Sequence, residues 1–417
     1  MFTKTKSRLK RAWLYTAGNR LTRPMMKHFD WPLFLIVLAI SLFGIVCVFS
    51  ATSSEVTEYP DNVMEMLATQ SVYYPRLQFL WLLAGIAVMF ILNVLPYELY
   101  GRLSTVIYMG TCGLLLITKM FAEVGRGGMQ AFLTVFGDRG FQPSEFGKVS
   151  MIICFAKMFS DRNRPIKKFS EFLVWTAYMA LPTALVVLQP DFGTAMVYLF
   201  MFCVLILISG TDAKLLYSLI GCAVLLAIPI WYAMNNTSAA ENFRLTRFLI
   251  WLDPESYPDE ARQVINAQIA VDSGGLFGKG IVSPGSFASL GYISDDHTDF
   301  IFAIVCESFG LVGGFTLVFG YMLMITRMIW LATRVPDAYG AHIIIAVVGM
   351  FLFHIIENLC MVIGLLPVTG IPLPFVSYGG SNMLTNWAAL ALVENVSIRS
   401  KHQSELNRVS NTRSVEL

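Results

Sequence analysis

Four short polar motifs lie between long apolar stretches of this 417-residue chain. They occupy residues 142–148, 189–194, 295–300 and 364–381, and the first three are rich in carboxylates. A positioned carboxylate can remove a proton from a hydroxyl as that hydroxyl attacks, and a lysine can hold an anionic group. The motifs are therefore candidates for a site of acid–base chemistry.

Each motif also has a purely structural interpretation. Pro143 suits the first position of a helix, and Glu145 and Lys148 lie three residues apart on one helix face, where they could form an internal ion pair. Asp191 is placed to cap the helix that follows it. Asp299 directly precedes a long apolar segment, where the start of a helix stabilises any carboxylate.

Three further features are ambiguous. Glu307 lies about two turns inside an apolar segment, and an acid at that depth is either functional or paired with a neighbouring helix. His354 and Glu357 are three residues apart and are expected mainly to satisfy each other. The glycine-rich run 273–280 is a weak phosphate-loop signal without the Walker pattern, and a set of turns explains it equally well.

The composition identifies the surroundings of these residues. Hydrophobic residues make up 56% of the chain and charged residues 14%, whereas soluble domains carry about 25% charged residues. This balance excludes a soluble enzyme, a disordered chain and an ordinary nucleic-acid binder. The apolar runs are continuous rather than alternating, which excludes a membrane β-barrel.

A spanning helix needs about 20 mostly apolar residues, and the chain offers ten candidate segments. The fold predicted is all-α, a polytopic membrane protein with about ten transmembrane helices. The ten segments are 31–51, 77–95, 103–121, 147–159, 173–188, 192–209, 215–234, 300–326, 338–359 and 376–394.

The distribution of basic residues orients these segments, because cytoplasmic loops are enriched in lysine and arginine. Residues 1–29 contain eight lysines and arginines and no acid, and the segment after 396 is also basic. We predict a basic cytoplasmic tail at 1–29, a membrane domain at 30–397 and a cytoplasmic tail at 398–417. The four motifs then face outward, together with a large extracytoplasmic loop at 235–299.

That 65-residue loop is too long for a plain connection, and it contains aromatic residues and a helix-like stretch at 264–271. We expect it to be ordered and to lie on the outer face of the membrane. Transporters tend to place their charges near the midplane, whereas most charges here cluster at one surface. The pattern favours an enzyme that acts on a lipid-linked substrate over a transporter.

The motifs, in this order, resemble the SEDS (RodA/FtsW/SpoVE) family of bacterial cell-wall polymerases. The resemblance is carried by six strings: Gln142-Pro-Ser-Glu145 with Lys148, Gln189-Pro-Asp-Phe-Gly-Thr194, Leu252-Asp-Pro-Glu-Ser256, Ser273-Gly-Gly-Leu-Phe-Gly-Lys-Gly280, His297-Thr-Asp-Phe-Ile-Phe-Ala303 and the proline-rich segment 366–381. The resemblance runs from about residue 29 to 397. The Asp30-Trp31 pair, the 252–256 string and the proline-rich segment are closer to the RodA branch than to the FtsW branch.

The resemblance implies a peptidoglycan glycosyltransferase that polymerises lipid II at the outer face of the cytoplasmic membrane and releases undecaprenyl diphosphate. A role in cell elongation and rod shape is favoured; a septal, FtsW-like polymerase of cell division, a lipid II flippase and a scaffold are the alternatives. The implied partners are a class B penicillin-binding protein transpeptidase and other elongation or division machinery, and not nucleic acid. The implied cofactor is a divalent cation, magnesium or manganese, with unknown ligands.

The resemblance also implies which residues act. Asp299 falls at the family's essential aspartate and is the predicted catalytic residue. The predicted substrate-binding residues are Glu145, Lys148, Asp191, His297, Ser377 and Tyr378.

Two departures from the family pattern stand out. Relatives carry an arginine before the Gln-Pro-Ser-Glu motif, whereas this chain reads Gly-Gly-Met-Gln-Ala-Phe at 127–132, with Arg126 and Arg139 as possible substitutes. The residues before His297 are Ser294-Asp-Asp296, which adds negative charge beside the predicted site.

Overall fold

The computed structural model describes residues 26–52, 62, 64–65, 72–122, 131–136, 139–162, 166–211, 214–215, 217, 243–293 and 296–415. Within these ranges the protein is almost entirely helical, which confirms the predicted fold class. The helices are α1 (Trp31–Ala51), α2 (Tyr73–Val94), α3 (Tyr97–Arg102), α4 (Ser104–Phe121), α5 (Pro143–Ser160), α6 (Phe169–Leu188), α7 (Phe192–Ile208), α8 (Phe243–Leu252), α9 (Pro258–Ser273), α10 (Ile301–Ala332), α11 (Ala338–Val362) and α12 (Gly380–Val415).

A small antiparallel hairpin, which the sequence did not predict, precedes α5. It pairs β1 (Leu133–Phe136) with β2 (Arg139–Phe141). Its strands have four and three residues, which is too short for the alternating pattern that reveals a strand.

Nine of the ten predicted membrane segments correspond to helices among the described residues: α1, α2, α4, α5, α6, α7, α10, α11 and α12. Most of the tenth, 215–234, lies outside the described residues. Six of these helices are both long and apolar enough to cross a membrane, and α7 is a shorter apolar helix. Helix α5 is more polar because it carries Glu145, Lys148 and Lys157.

Helix α11 lies at the centre of the bundle and packs against α5, α7, α10 and α12. Helix α2 packs along α12, and α1 packs against α10 and α2. The side chains of Tyr198, Tyr321 and Trp387 are fully buried in this core. Helices α5, α7, α10 and α12 begin, and α11 ends, next to the polar motifs, so one end of the bundle carries all of them.

The predicted extracytoplasmic loop is ordered where it is described. It forms α8, a short 3₁₀ turn at Pro254–Ser256, α9 and a series of turns. The glycine-rich run then lies against α10 at a break in that helix, where Gly310 adopts a φ of +66°. The Lys279 and Gly280 amides donate to the carbonyls of Glu307 and Ser308, and the amides of 311 and 312 donate back to the run.

This contact assigns a role to two of the ambiguous features. Glu307 is buried, and its Oε1 accepts from Lys279 Nζ at 2.9 Å and from the Phe287 amide at 2.8 Å. The glycine run is therefore a set of turns that docks on α10 rather than a phosphate loop, and Glu307 fastens the loop to the helix. A side chain at Gly278 would place its Cβ 2.2 Å from the Ser308 carbonyl oxygen, so only glycine fits this approach.

At the opposite end of the bundle, Asp30 caps α1 by accepting from the Leu33 amide. Its carboxylate also receives a two-pronged contact from Arg327, at 2.9 Å for both nitrogens, and a bond from Lys401 Nζ at 2.9 Å. Burial alone would raise the pKa of Asp30, but the hydrogen bonds and charges of Arg327 and Lys401 lower it below its usual value. This cluster joins the start of α1 to the last turns of α10 and to the C-terminal half of α12.

Candidate active site

Asp191 connects the start of α7 with the start of α5. Its Oδ1 accepts from the Thr194 amide at 3.1 Å, so the predicted helix cap is confirmed. Its Oδ2 accepts from Ser144 Oγ at 2.7 Å and from Gln142 Nε2 at 3.1 Å. Asp191 is therefore both a cap and the acceptor that holds the Gln-Pro-Ser-Glu motif in place.

One turn further along α5, Lys148 and Glu145 form the predicted ion pair, with Nζ 2.6 Å from Oε1. Both side chains are buried, Lys148 at 1% and Glu145 at 4% exposure. Lys148 Nζ also lies 3.0 Å from His354 Nε2 on α11, whereas Glu145 Oε2 has no hydrogen-bond partner among the described residues. A buried carboxylate, ammonium and imidazole thus meet between two helices.

The expectation that His354 and Glu357 satisfy each other is wrong. His354 uses Nε2 for Lys148 and Nδ1 for the Met350 carbonyl at 2.8 Å. Glu357 instead accepts from Thr369 Oγ1 in the proline-rich segment that follows α11. The two residues share a helix face, but each of them bonds to a residue on another element instead of to the other.

Asp299 lies beside this segment. A side chain at Gly370, whose φ is +75°, would place its Cβ 3.4 Å from Asp299 Oδ2 and 3.6 Å from Arg247 Nη1. The carboxylates of Asp299 and Glu357 are close enough to repel each other electrostatically. Asp299 is half-buried, so its carboxylate lies between the buried polar groups and the outside.

Asp299 is not a helix cap. Helix α10 begins at Ile301, and its N-cap is Phe300, whose side chain makes no capping hydrogen bond. The backbone of Asp299 is instead held by Asn358 Nδ2, which donates to the Asp299 carbonyl at 2.7 Å and to the Ile371 carbonyl at 2.8 Å. Asp299 thus lies one residue before the N-cap of α10, and its backbone is positioned by a contact from α11.

A second group of predicted site residues lies next to Asp299 and consists of His297, Ser377 and Tyr378. Ser377 Oγ donates to the Thr298 carbonyl at 2.6 Å, and the Tyr378 amide donates to the His297 carbonyl at 2.8 Å. The rings of His297 and Tyr378 both lie against Tyr74, with centroids 4.9 and 5.1 Å away. Ser377 is fully buried, and its hydroxyl fixes the backbone just before Asp299.

Arg247, on α8, is the cation that sequence reasoning missed. Its Nη1 donates to the Val368 carbonyl at 3.4 Å, on the same segment that contacts Asp299. It also lines a cavity of about 150 Å³ together with Trp251, Gln268 and Pro367. Its position in the outer loop gave no local signal, since its partners lie more than 120 residues away.

The described residues also offer oxygen donors for a divalent cation. Glu357 Oε2 is buried with no hydrogen-bond partner among them, and the carboxylate of Asp299 is nearby. Magnesium is commonly held by one or two carboxylates together with phosphate oxygens and water. No third histidine, cysteine or carboxylate of the described ranges completes a ready-made ligand group here, so a cation would share its coordination with the substrate.

The two departures from the family pattern lie partly outside the described residues, which omit 123–130 and 294–295. Asp296 is described and pairs with His297 Nδ1 at 3.0 Å. Part of the added negative charge is therefore directed at the histidine beside Asp299.

Comparisons with known proteins give one consistent result. The FtsW/RodA/SpoVE family model, described as cell cycle protein, matches residues 30–402. The peptidoglycan glycosyltransferase RodA of Treponema pallidum is 29% identical over 90% of this chain and 98% of its own length. The probable peptidoglycan glycosyltransferase FtsW of Bacillus subtilis is also 29% identical, over 92% of this chain and 94% of its own.

A solved structure extends the match to three dimensions. It concerns the structural coordination of polymerization and crosslinking by a peptidoglycan synthase complex. One of its chains superposes with a TM-score of 0.71 at 28% identity, and the match covers 88% of this chain and 97% of that one.

Proposed function

The chain belongs to the FtsW/RodA/SpoVE family, and from this premise we infer that it is a multi-pass membrane peptidoglycan glycosyltransferase. It polymerises lipid II into glycan strands at the outer face of the cytoplasmic membrane, with both termini in the cytoplasm. The growing strand is transferred to a sugar hydroxyl of the incoming lipid II, and undecaprenyl diphosphate leaves. The observation that supports this best is the half-buried Asp299 beside the buried Glu357, on the helix α11 that also holds His354 against the buried Lys148–Glu145 pair.

Asp299 acts as the base in this proposal. A sugar hydroxyl is a poor nucleophile until its proton is removed, and a positioned base contributes about 10²–10⁴-fold to the rate. Asn358 fixes the backbone of Asp299, and the left-handed turn at Gly370 lies against its carboxylate. These contacts would hold the carboxylate beside the attacking hydroxyl.

The diphosphate of the substrate needs positive charge, because an unpaired anion near the bilayer is costly to desolvate. Arg247 supplies it from the outer side, and Lys148 supplies it from within the bundle. In the alternative role of Asp299, its carboxylate and that of Glu357 would instead hold a magnesium or manganese ion against the diphosphate. When bound, that ion would offset the charge that develops on the leaving group.

The proposed roles of the remaining site residues follow from their contacts. Asp191 holds the start of α5, and thereby Glu145 and Lys148, in position. His297 and Tyr378 form an aromatic surface with Tyr74, which suits contact with a sugar face. Ser377 positions the backbone before Asp299.

We propose a class B penicillin-binding protein as the partner, because the superposed structure concerns polymerization and crosslinking in one complex. The elongation role is proposed over the septal one on the motifs of the RodA branch. RodA and FtsW relatives match this chain equally well at 29% identity, so depletion in cells must distinguish the two roles. Rounded cells would support elongation, and filaments with unfinished septa would support division.

The decisive experiment incubates the purified full chain and its partner with labelled lipid II and a divalent cation. We expect glycan polymer from the wild type and none from Asp299→Asn, which keeps the side-chain shape but loses the charge. Asp272→Asn is the matched control, since it makes the same change at an exposed position on α9. Near-normal polymer from Asp299→Asn would remove Asp299 from the catalytic role.

The same experiment separates the other functions. Transport of lipid II across a bilayer without polymer from the wild type would favour a flippase. Neither polymer nor transport would favour a scaffold that only recruits the partner.

A further inference from the structure

Three potential metal ligands meet at the end of the bundle opposite the candidate active site. His28 lies just before α1, whereas His402 and Glu405 lie three residues apart in the C-terminal half of α12. One ligand atom from each residue can be chosen so that all three lie within 4.8 Å of one another. This is the only such group of three among the residues that the structure describes.

The contacts within this group are those of a partly assembled site. His28 Nε2 lies 2.9 Å from Glu405 Oε2, and the two histidine rings are 5.8 Å apart between centroids. His402 Nδ1 is buried and has no hydrogen-bond partner in the described part of the chain. A buried ring nitrogen without a partner costs free energy, so a ligand that binds it would be favoured.

The charges around the group do not oppose a cation. Two lysines lie close by. Lys27, next to His28, is exposed to solvent. Lys401 contacts the His28 carbonyl at 3.5 Å, but its ammonium is held by Asp30 Oδ2 at 2.9 Å. Glu405 supplies the negative charge, and neutral imidazoles supply the two nitrogen donors. Two histidines and one glutamate form a recognised donor set for zinc, with a fourth position left to water.

The distances also suit a small adjustment. A tetrahedral zinc ion holds nitrogen and oxygen ligands at about 2.0–2.2 Å, which places those ligands roughly 3.3 Å from one another. The His28–Glu405 pair is already closer than that, and the side chain of Glu405 is 63% exposed and free to turn about its own bonds. All three atoms already lie within 4.8 Å of one another, so a pair would have to approach by no more than about 1.5 Å.

We propose that His28, His402 and Glu405 form a binding site for a divalent transition metal of the zinc type. The metal would join the segment before α1 to the C-terminal half of α12. His28 and His402 are 374 residues apart in the sequence. Such a site is independent of lipid II chemistry at the other end of the molecule. Metal binding there would stabilise the packing of the segment before α1 against α12.

The test measures metal uptake by the tag-free full chain in detergent. Zn²⁺ affinity is obtained by competition with a chromophoric chelator, and Co²⁺ is used as a spectroscopic probe of the ligand set. We expect one ion per chain, with a Co²⁺ absorption typical of four-coordinate nitrogen and oxygen ligands. His402→Ala and Glu405→Gln should each weaken binding about 10-fold or more, since even residues outside the ligand shell change affinity by 10–100-fold.

His342→Ala is the matched control. His342 also has a buried Nδ1 without a hydrogen-bond partner in the described ranges, but it belongs to no group of three ligands. Its variant should bind Zn²⁺ within about 2-fold of the wild type. The proposal is overturned if the wild type takes up no stoichiometric ion, or if His402→Ala binds as tightly as His342→Ala.

Thermal unfolding gives a second readout. Zn²⁺ should raise the unfolding midpoint of the wild type and of His342→Ala, because an ion that binds only the folded state stabilises it. It should leave the midpoint of His402→Ala unchanged. An equal shift in all three proteins would show that the metal binds elsewhere.

Discussion

Replacement of Lys148 by methionine separates the structural and functional roles of the buried ion pair. Lys148 and Glu145 are 1% and 4% exposed, so the variant leaves an uncompensated carboxylate in the interior. Removing one partner of such a pair costs about 3–5 kcal/mol of stability. Glu145 Oε2 already lacks a partner among the described residues, which places the expected loss toward the upper end.

The double variant Glu145→Met with Lys148→Met removes both charges. Replacing a buried pair by apolar residues of similar volume is often neutral. The double variant still leaves His354 Nε2 without its partner, Lys148 Nζ at 3.0 Å. Leaving this buried nitrogen unpaired costs about 1–3 kcal/mol of stability. The double variant should therefore recover roughly half or more of the stability that the single variant loses.

The assay combines thermal unfolding in detergent with lipid II binding. Lys157→Met is the control, because Lys157 lies on the same helix but pairs with Asp161 at the exposed surface, where a pair is worth about 0–1 kcal/mol. We expect lipid II binding to be lost in both Lys148 variants. Normal binding by the double variant would show that Lys148 serves folding only, and an undiminished stability of Lys148→Met would refute the account of the buried pair.

Three further predictions concern other regions. Because the pKa of Asp30 is lower in the folded protein, its carboxylate stabilises the fold fully above the pKa of the unfolded state, about 3.9. This stabilisation is lost as the pH falls through the lower pKa of the folded state. Asp30→Asn should remove this pH dependence from the unfolding midpoint. Gly278→Ala should release the outer loop from α10, measured as faster proteolysis, because its Cβ would meet the Ser308 carbonyl at 2.2 Å. Gly280→Ala is its control, since that Cβ meets nothing within 4 Å and only the positive φ opposes it, at about 1–2 kcal/mol. Arg247→Gln should weaken lipid II binding at least 10-fold, as expected for a charged hydrogen bond of about 1.5–3 kcal/mol, and unchanged binding would exclude it from the diphosphate site.

Local spacing predicted the parts of the site that depend on one helix. The Glu145–Lys148 pair and the Asp191 cap follow from distances of three residues along the chain, and both are present. The same rule failed for His354 and Glu357. Each has a partner that lies on another element, and a sequence pattern within one helix contains no information about that neighbour.

The tertiary contacts around Asp299 could not be predicted for the same reason. Its backbone is held by Asn358, 59 residues away, and its carboxylate faces the left-handed turn at Gly370. Hydropathy located nine of the described helices because membrane burial acts on whole segments. It located neither the break at Gly310 nor the docking of the glycine run, which depend on backbone hydrogen bonds and on the absence of a Cβ.

Helix α12 has a practical consequence for imaging. It runs without interruption from Gly380 to Val415, and 36 residues at 1.5 Å each make a rod of about 54 Å. The hydrocarbon layer takes up only about 30 Å of that length, so several turns extend beyond the bilayer. A helical fusion partner joined in phase at Val415 would inherit the direction of this rod, and would give a 46.6 kDa membrane protein the rigid fiducial mass that particle alignment in electron microscopy requires.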